Sequence, residues 1–140
     1  KLEEAFPPMS VTVQLTDDLD VSRGDMIVRE NNIPDISQEI DVMLCWMNKK
    51  KLNLGKKYIV RHTTNETKCL IKDLIYKLDI NTLHRIEEAE TLKLNEIGRV
   101  KIQTAKPLFY DKYKDNRATG CIIIIDEQTN ETLAAGMIRE

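Results

Sequence analysis

Cysteines and histidines are the residues of this chain that would first be expected to carry metal or nucleophilic chemistry. Cys45, Cys69 and Cys121 are odd in number and have no C-x-x-C spacing, so they predict neither a disulfide framework nor a zinc knuckle. Their apolar neighbours predict small buried hydrophobes in a reducing compartment. His62 and His84 have no partner at metal-ligand spacing. The sequence therefore predicts no metal site.

Glycines and serines could build a phosphate-binding turn or a nucleophile elbow. The chain contains neither G-x-x-x-x-G-K-[ST] nor G-x-G-x-x-G, and none of its serines lies in G-x-S-x-G. Pairs of carboxylates could still act as acid and base, but no pair stands out. We interpret the chain as non-catalytic by itself, with no catalytic, cofactor-binding or metal-binding residue.

Five lysines lie within nine positions and could contact phosphate or an acidic partner. No aromatic residues interleave with them, which weakens an interpretation as a binder of single-stranded nucleic acid. A solvated loop is the favoured alternative. The lysines are Lys49, Lys50, Lys51, Lys56 and Lys57.

Two mixed polar segments, 79–85 and 115–120, lie between apolar runs, and loops held on a rigid scaffold often carry contacts. Asn81 and Thr82 could instead cap a short turn that follows them. Arg117 could pair with an internal carboxylate or could face a partner. Both alternatives stay open for each segment.

Alternation of apolar and polar residues dominates the chain and predicts about eight strands with no helix of normal length. In 67–80 a leucine at every fourth position makes a helix the rival, although strand is favoured. The segment 107–117 is expected to be a loop. This pattern predicts an all-β barrel. The expected strands cover residues 11–16, 26–28, 40–47, 58–64, 67–80, 97–105, 121–125 and 133–138.

The length of 140 residues fits one domain, or one domain plus a piece of another. The polar break at 31–35, which contains Pro34, is the best domain boundary. A hydrophobic content of 41% and a net charge of −2 exclude disorder, and the pI near 5.8 argues against a basic nucleic-acid binder. No signal pattern or membrane-length apolar run is present, and the first residue, Lys1, suggests a piece of a larger protein.

Several sequence strings, in order from one end of the chain to the other, identify a family. The chain resembles the C-terminal part of the large, GTPase-bearing subunit of bacterial sulfate adenylyltransferase (ATP sulfurylase). The strings that carry the resemblance lie at 6–12, 20–28, 41–47, 61–64, 79–85, 94–100, 116–120 and 134–138.

The family is similar to elongation factor Tu, in which two β-barrels follow a GTPase domain. The resemblance implies that residues 1–35 are the truncated end of the second barrel. Residues 36–140 would form a complete C-terminal Greek-key barrel like the third domain of elongation factor Tu. The strands before Pro34 would then lack partners, so we expect them to be poorly ordered, swapped to another chain or paired onto a barrel edge.

The resemblance also implies a function for the parent protein. It would join ATP and sulfate into adenosine 5′-phosphosulfate and pyrophosphate, driven by GTP hydrolysis, with GTP, ATP and Mg bound outside this segment. The expected partners are the small catalytic subunit and the GTPase domain, in the cytoplasm, with no membrane and no nucleic acid. A translation-factor-type barrel that binds RNA, or part of a bifunctional form with adenylylsulfate kinase, are the alternatives. The candidate interface residues are His84, Arg85, Asn116 and Arg117.

Overall fold

The computed structural model describes residues 2–139, which contain seven β-strands and no helix, hence none that could cross a membrane. The strands are β1 (Asp35–Trp46), β2 (Lys57–His62), β3 (Asn65–Leu78), β4 (Arg85–Ile86), β5 (Ile97–Tyr110), β6 (Cys121–Ile125) and β7 (Thr132–Ile138).

Six of these strands close into an antiparallel barrel. The order around it is β2-β6-β7-β1-β5-β3, and β3 pairs back with β2. The two-residue strand β4 adds to the end of β3. The prediction of an all-β barrel is confirmed, and the leucine-rich segment that could have been a helix is strand β3.

The barrel core follows from the period of two in β1. Ile40, Val42, Leu44 and Trp46 are buried, while the residues between them face outward. The indole N–H of Trp46 donates to the carbonyl of Lys50 at 2.6 Å, so the ring has its polar atom satisfied inside the core.

Two β-bulges in strand β3 change which of its side chains face the core. Cys69 and Ile71 are buried, the register then shifts before Asp73, and Leu74 becomes the next core residue. A second shift follows Leu74 and leaves Tyr76 opposite the outward-facing part of β5. Each extra residue reverses the alternation, so core residues fall on odd positions before the first bulge and on an even position after it.

Strand β5 runs further than expected, through Pro107 to its end at Tyr110, so the predicted loop begins too early. The reason is a break in the ladder with β1. Glu39 pairs with Gln103, whereas the next paired residue, Ser37, lies opposite Leu108. Pro107 lies in the bulged stretch between these pairs, where no ladder N–H is required of it.

The segment 2–34 contains no strand, so the strands predicted at 11–16 and 26–28 are absent. The barrel closes on itself and offers no long edge, and an isolated pair of strands is marginally stable in water. Many apolar side chains of this segment are consequently exposed, among them Phe6, Val11, Val13, Leu15, Val21, Ile27 and Val28.

Candidate interaction surface

An open apolar groove of about 580 Å³ lies on the outside of the barrel, across β1, β7 and β6. The antiparallel register aligns Cys121 beside Met137, and Met137 beside Met43. Because alternate residues of each strand point inward, these side chains point outward. A second row crosses the same strands and reaches β5. It consists of Ile123, Ala135, Cys45 and Ile97.

The three cysteines do not share one environment. Cys69 is buried at 2% exposure, as expected, and burial raises the pKa of its thiol to about 12. Cys45 is half-buried, and Cys121 is exposed, so the prediction of a buried hydrophobe is wrong for Cys121. The cause is the alternation in β6, where Ile122 and Ile124 occupy the core and leave Cys121 on the outer face.

Two candidate interface residues, Asn116 and Arg117, lie in the loop at one end of the groove. The Arg117 guanidinium is 6.0 Å from the centre of the Tyr113 ring, which lines the groove. Within residues 2–139, Arg117 forms no ion pair with a carboxylate. The exposed Arg117 side chain favours the alternative in which its guanidinium faces a partner. The Asn116 side chain donates to Asp111 at 3.3 Å.

Several hydrogen bonds hold this loop against the barrel. The Tyr113 N–H donates to the carbonyl of Ile138 at 2.9 Å, and the Thr119 hydroxyl donates to Asp111. The buried His62 donates from Nε2 to the carbonyl of Thr119 at 2.6 Å. His62 is thus a structural residue that links β2 to the loop.

The other two candidates, His84 and Arg85, lie on the far side of the Met43 row. The Arg85 guanidinium lies 4.9 Å from the centre of the Tyr76 ring, and the Tyr76 hydroxyl contacts the Met43 sulfur at 3.6 Å. His84 is exposed in the turn before β4. His84 and Arg85 thus lie at the turn between β3 and β4, whereas Asn116 and Arg117 lie in the loop between β5 and β6. The structure therefore places the four candidates in two groups rather than one cluster.

The turn before His84 is capped by Asp79, not by the two residues considered from the sequence. The Asp79 carboxylate accepts the N–H groups of Asn81 at 2.8 Å and of Thr82 at 3.1 Å. These hydrogen bonds lower the pKa of Asp79. No helix follows this turn.

The lysine-rich loop lies beside an acidic turn of the barrel. Lys56 pairs with Asp126 at 3.0 Å, and Lys50 lies 3.6 Å from Glu131. The backbone N–H of Gln128 and the Lys56 ammonium lower the pKa of Asp126 to about 2. These contacts favour the structural interpretation of the lysine loop, at least for the two lysines that are paired.

The described surface carries groups that can bind a partner. No group of three or more His, Cys, Asp or Glu side chains among residues 2–139 could hold a metal ion. The surface features that stand out are the apolar groove, the exposed thiol of Cys121 and the two arginine–tyrosine pairs.

Fold and surface together define an antiparallel β-barrel domain whose outer face offers an apolar groove. A family model described as GTP-eEF1A C-terminal domain-like matches residues 39–139. The chain belongs to this family.

Curated relatives and solved structures extend the comparison. The chain is 53% identical over 136 residues to the bifunctional enzyme CysN/CysC of Mycobacterium tuberculosis, covering 96% of this chain and 22% of that protein. It is 43% identical over 138 residues to sulfate adenylyltransferase subunit 1 of Bacteroides fragilis, covering 99% of this chain and 29% of the relative. The chain thus spans less than a third of the length of these relatives.

A structure of sup35 complexed with GDP has a TM-score of 0.70 at 15% identity, covering 79% of this chain and 27% of that one. At that identity the likeness shows the fold alone.

Proposed function

We propose that this chain is the non-catalytic barrel module of a sulfate adenylyltransferase subunit 1. The observation that carries the proposal is 43% identity to such a subunit over 99% of the chain. The parent protein would act in the cytoplasm in the GTP-driven synthesis of adenosine 5′-phosphosulfate from ATP and sulfate. GTP, ATP and Mg would bind to the parent complex outside this barrel.

The proposed domain division places the end of a second barrel at 1–35 and the C-terminal barrel at 36–140. Two observations support it. Strand β1 begins at Asp35, and the apolar side chains of 2–34 are exposed, as expected of strands whose sheet partners lie elsewhere. We propose that these side chains are covered by the remainder of that second barrel in the parent protein.

The role of the C-terminal barrel would be to brace the GTPase domain and to dock the small catalytic subunit. The exposed residues His84, Arg85, Asn116 and Arg117 are the proposed contacts. Arg85 and Arg117 each lie over a tyrosine ring, which holds the guanidinium at the surface. Arginine and tyrosine are residue types enriched in the energetically important parts of protein interfaces.

A binding experiment with the small subunit tests this function. We expect the 140-residue chain to bind the purified small subunit. In the full-length parent, replacing His84, Arg85, Asn116 and Arg117 by Ala should lower GTP-dependent formation of adenosine 5′-phosphosulfate about tenfold. Replacing the loop residues Lys49, Lys50 and Lys51 by Ala is the control and should leave activity unchanged. Absence of binding together with full activity of the fourfold variant would disprove the docking role.

A bifunctional parent is a second candidate, favoured by the 53% identity to the relative named bifunctional enzyme CysN/CysC. In that case an adenylylsulfate kinase would follow the barrel. The downstream reading frame of the source gene decides between the two forms. A stop codon directly after the barrel would exclude the bifunctional parent.

A further inference from the structure

We propose that the apolar groove across β1, β7 and β6 is the docking site for the small subunit. We further propose that the docked surface presents apolar side chains next to carboxylates. This inference rests on the proposed function and adds to it the face of the barrel and the chemistry of the partner.

The floor of the groove has the composition of an interface core. Its central row consists of Met43, Met137 and Cys121, and Met137 is 42% exposed. Methionine and tyrosine are enriched at the centres of protein interfaces, where charged residues are depleted. Burial of this floor would contribute about 25 cal/mol per Å² of apolar surface removed from water.

The rim of the groove is cationic. Lys112, Lys114 and Arg139 line a neighbouring depression that shares Met43, Tyr113 and Met137 with the groove, and Arg117 lies beside Tyr113. None of these four cations forms an ion pair within residues 2–139. Of the nearby carboxylates, Asp111 accepts hydrogen bonds from Thr119 and Asn116, and Asp41 is held by Arg99. Asp115 is the remaining acid of the loop. Among the described residues, cations exceed carboxylates at this rim, which favours a partner surface that carries carboxylates.

The charge of the rim also distinguishes between the proteins or segments that could occupy the groove. A domain of the same chain is already present at high effective concentration, so it gains little from charges that steer encounter. A second copy would bring an identical cationic rim against the first, which is unfavourable. None of the groove-lining residues belongs to the segment 2–34. A separate, acidic protein partner satisfies both the apolar floor and the cationic rim.

Substitutions in the groove and its rim test the proposal, with titration calorimetry of the 140-residue chain against the purified small subunit. Met137→Asp places a charge on the floor of the groove. The double variant Lys114→Glu/Arg117→Glu reverses the charge of two rim residues. Each is expected to weaken binding about tenfold or more, and the rim variant should also flatten the dependence of affinity on salt.

Two variants outside the groove serve as matched controls. Ile36→Asp changes an exposed apolar residue of β1, and Lys101→Glu reverses a charge on the outer face of β5. Both are expected to bind within about threefold of the unsubstituted chain, since exposed sites outside an interface change binding little. Circular dichroism and thermal unfolding confirm that each variant is folded.

Alkylation of Cys121 gives a second readout on the unsubstituted chain. If the small subunit covers the groove, its addition slows reaction of the exposed Cys121 thiol with N-ethylmaleimide, read by mass spectrometry. The groove is not the docking site if Cys121 alkylation is unchanged in a formed complex, or if the groove variants and the control variants bind with equal affinity. Either result leaves the proposed function intact. Failure of the unsubstituted chain to bind removes the groove proposal, and it removes the docking role as well if the fourfold variant of the parent keeps full activity.

The inference is also wrong if the chain binds RNA and not the small subunit, and if that RNA binding is weakened by the rim variant but not by Met137→Asp.

Discussion

Gly120 and Tyr113 pack so closely that no side chain fits between them. A β-carbon built on Gly120 would overlap the Cα of Tyr113, and it would lie 2.6 Å from both the Tyr113 nitrogen and the Asn116 carbonyl oxygen. These are backbone atoms, which cannot rotate away as a flexible side chain can. The contact therefore fixes the position of the rim loop above the groove.

Replacing Gly120 by Ala should lower the free energy of unfolding by about 3 kcal/mol or more, because the added methyl forces the loop away from the barrel. Urea unfolding followed by the fluorescence of Trp46 measures the effect. Cys121→Ala is the neighbouring control and should change stability by less than about 1 kcal/mol, since the thiol is exposed. A Gly120→Ala chain as stable as this control would show that the contact is looser than described.

The two histidines should differ in their contribution to stability. His62 is buried and bonded to Thr119, so His62→Ala leaves a cavity and an unpaired carbonyl and should cost about 2 kcal/mol or more. His84 is exposed, and His84→Ala should change stability by less than about 0.5 kcal/mol. Equal stabilities of the two variants in urea unfolding would contradict the structural role of His62.

Asp126 should make the barrel sensitive to acid. Its side chain is 3% exposed, and its pKa of about 2 lies below the ordinary value of 3.8. A carboxyl whose pKa is depressed by folding stabilises the native state above its unfolded pKa. That contribution is lost as the pH falls through the native pKa.

Asp126→Asn keeps an oxygen acceptor for the turn but removes the charge that pairs with Lys56. The difference in unfolding free energy from the unsubstituted chain should be up to about 2 kcal/mol at pH 7 and should shrink between pH 4 and pH 2. Carboxylates distant from this turn are common to both proteins, so the difference reports on Asp126 and its neighbour Glu127, whose titration the Asp126 charge also affects. A difference that does not change over this range would assign the stabilisation to another group.

The three thiols should react in a fixed order with Ellman's reagent in the native state. Cys121 is exposed and should react first, Cys45 is half-buried and should be slower, and Cys69 should react only on unfolding. One thiol per chain should therefore titrate rapidly, and all three in denaturant. Cys121→Ser should abolish the fast phase while leaving the slower reaction of Cys45. Rapid reaction of Cys69 would contradict its place in the core.

The sequence predicted the barrel because alternation of apolar and polar residues dominates most of its strands. The face of β1 that contains Val42 and Leu44 is one example, and the strand identity of β3 is another. Errors occurred where the backbone departs from regular pairing. The bulges around Asp73 in β3 and the break near Pro107 in β5 depend on partners distant in sequence, and no local pattern reports them.

The groove was missed for a related reason. The predicted strand at 40–47 places Met43 and Cys45 on one face, but only the register with β7 and β6 brings Met137 and Cys121 beside them. Apolar residues on the outer face of β1 and β7 were the available signal. Arg117 was identified as a contact candidate from its loop, whereas the rim formed with Arg139 required the folded chain.

The order of strands has a consequence for synthesis of the protein. Strand β1 pairs with β5 and with the C-terminal strand β7, where Trp46 lies opposite Ala134. As the polypeptide emerges from the ribosome, β1 is exposed while both of its neighbours are still untranslated. The barrel can close only after β7 has left the ribosome, so a nascent chain stalled before β7 is exposed to chaperones and proteases.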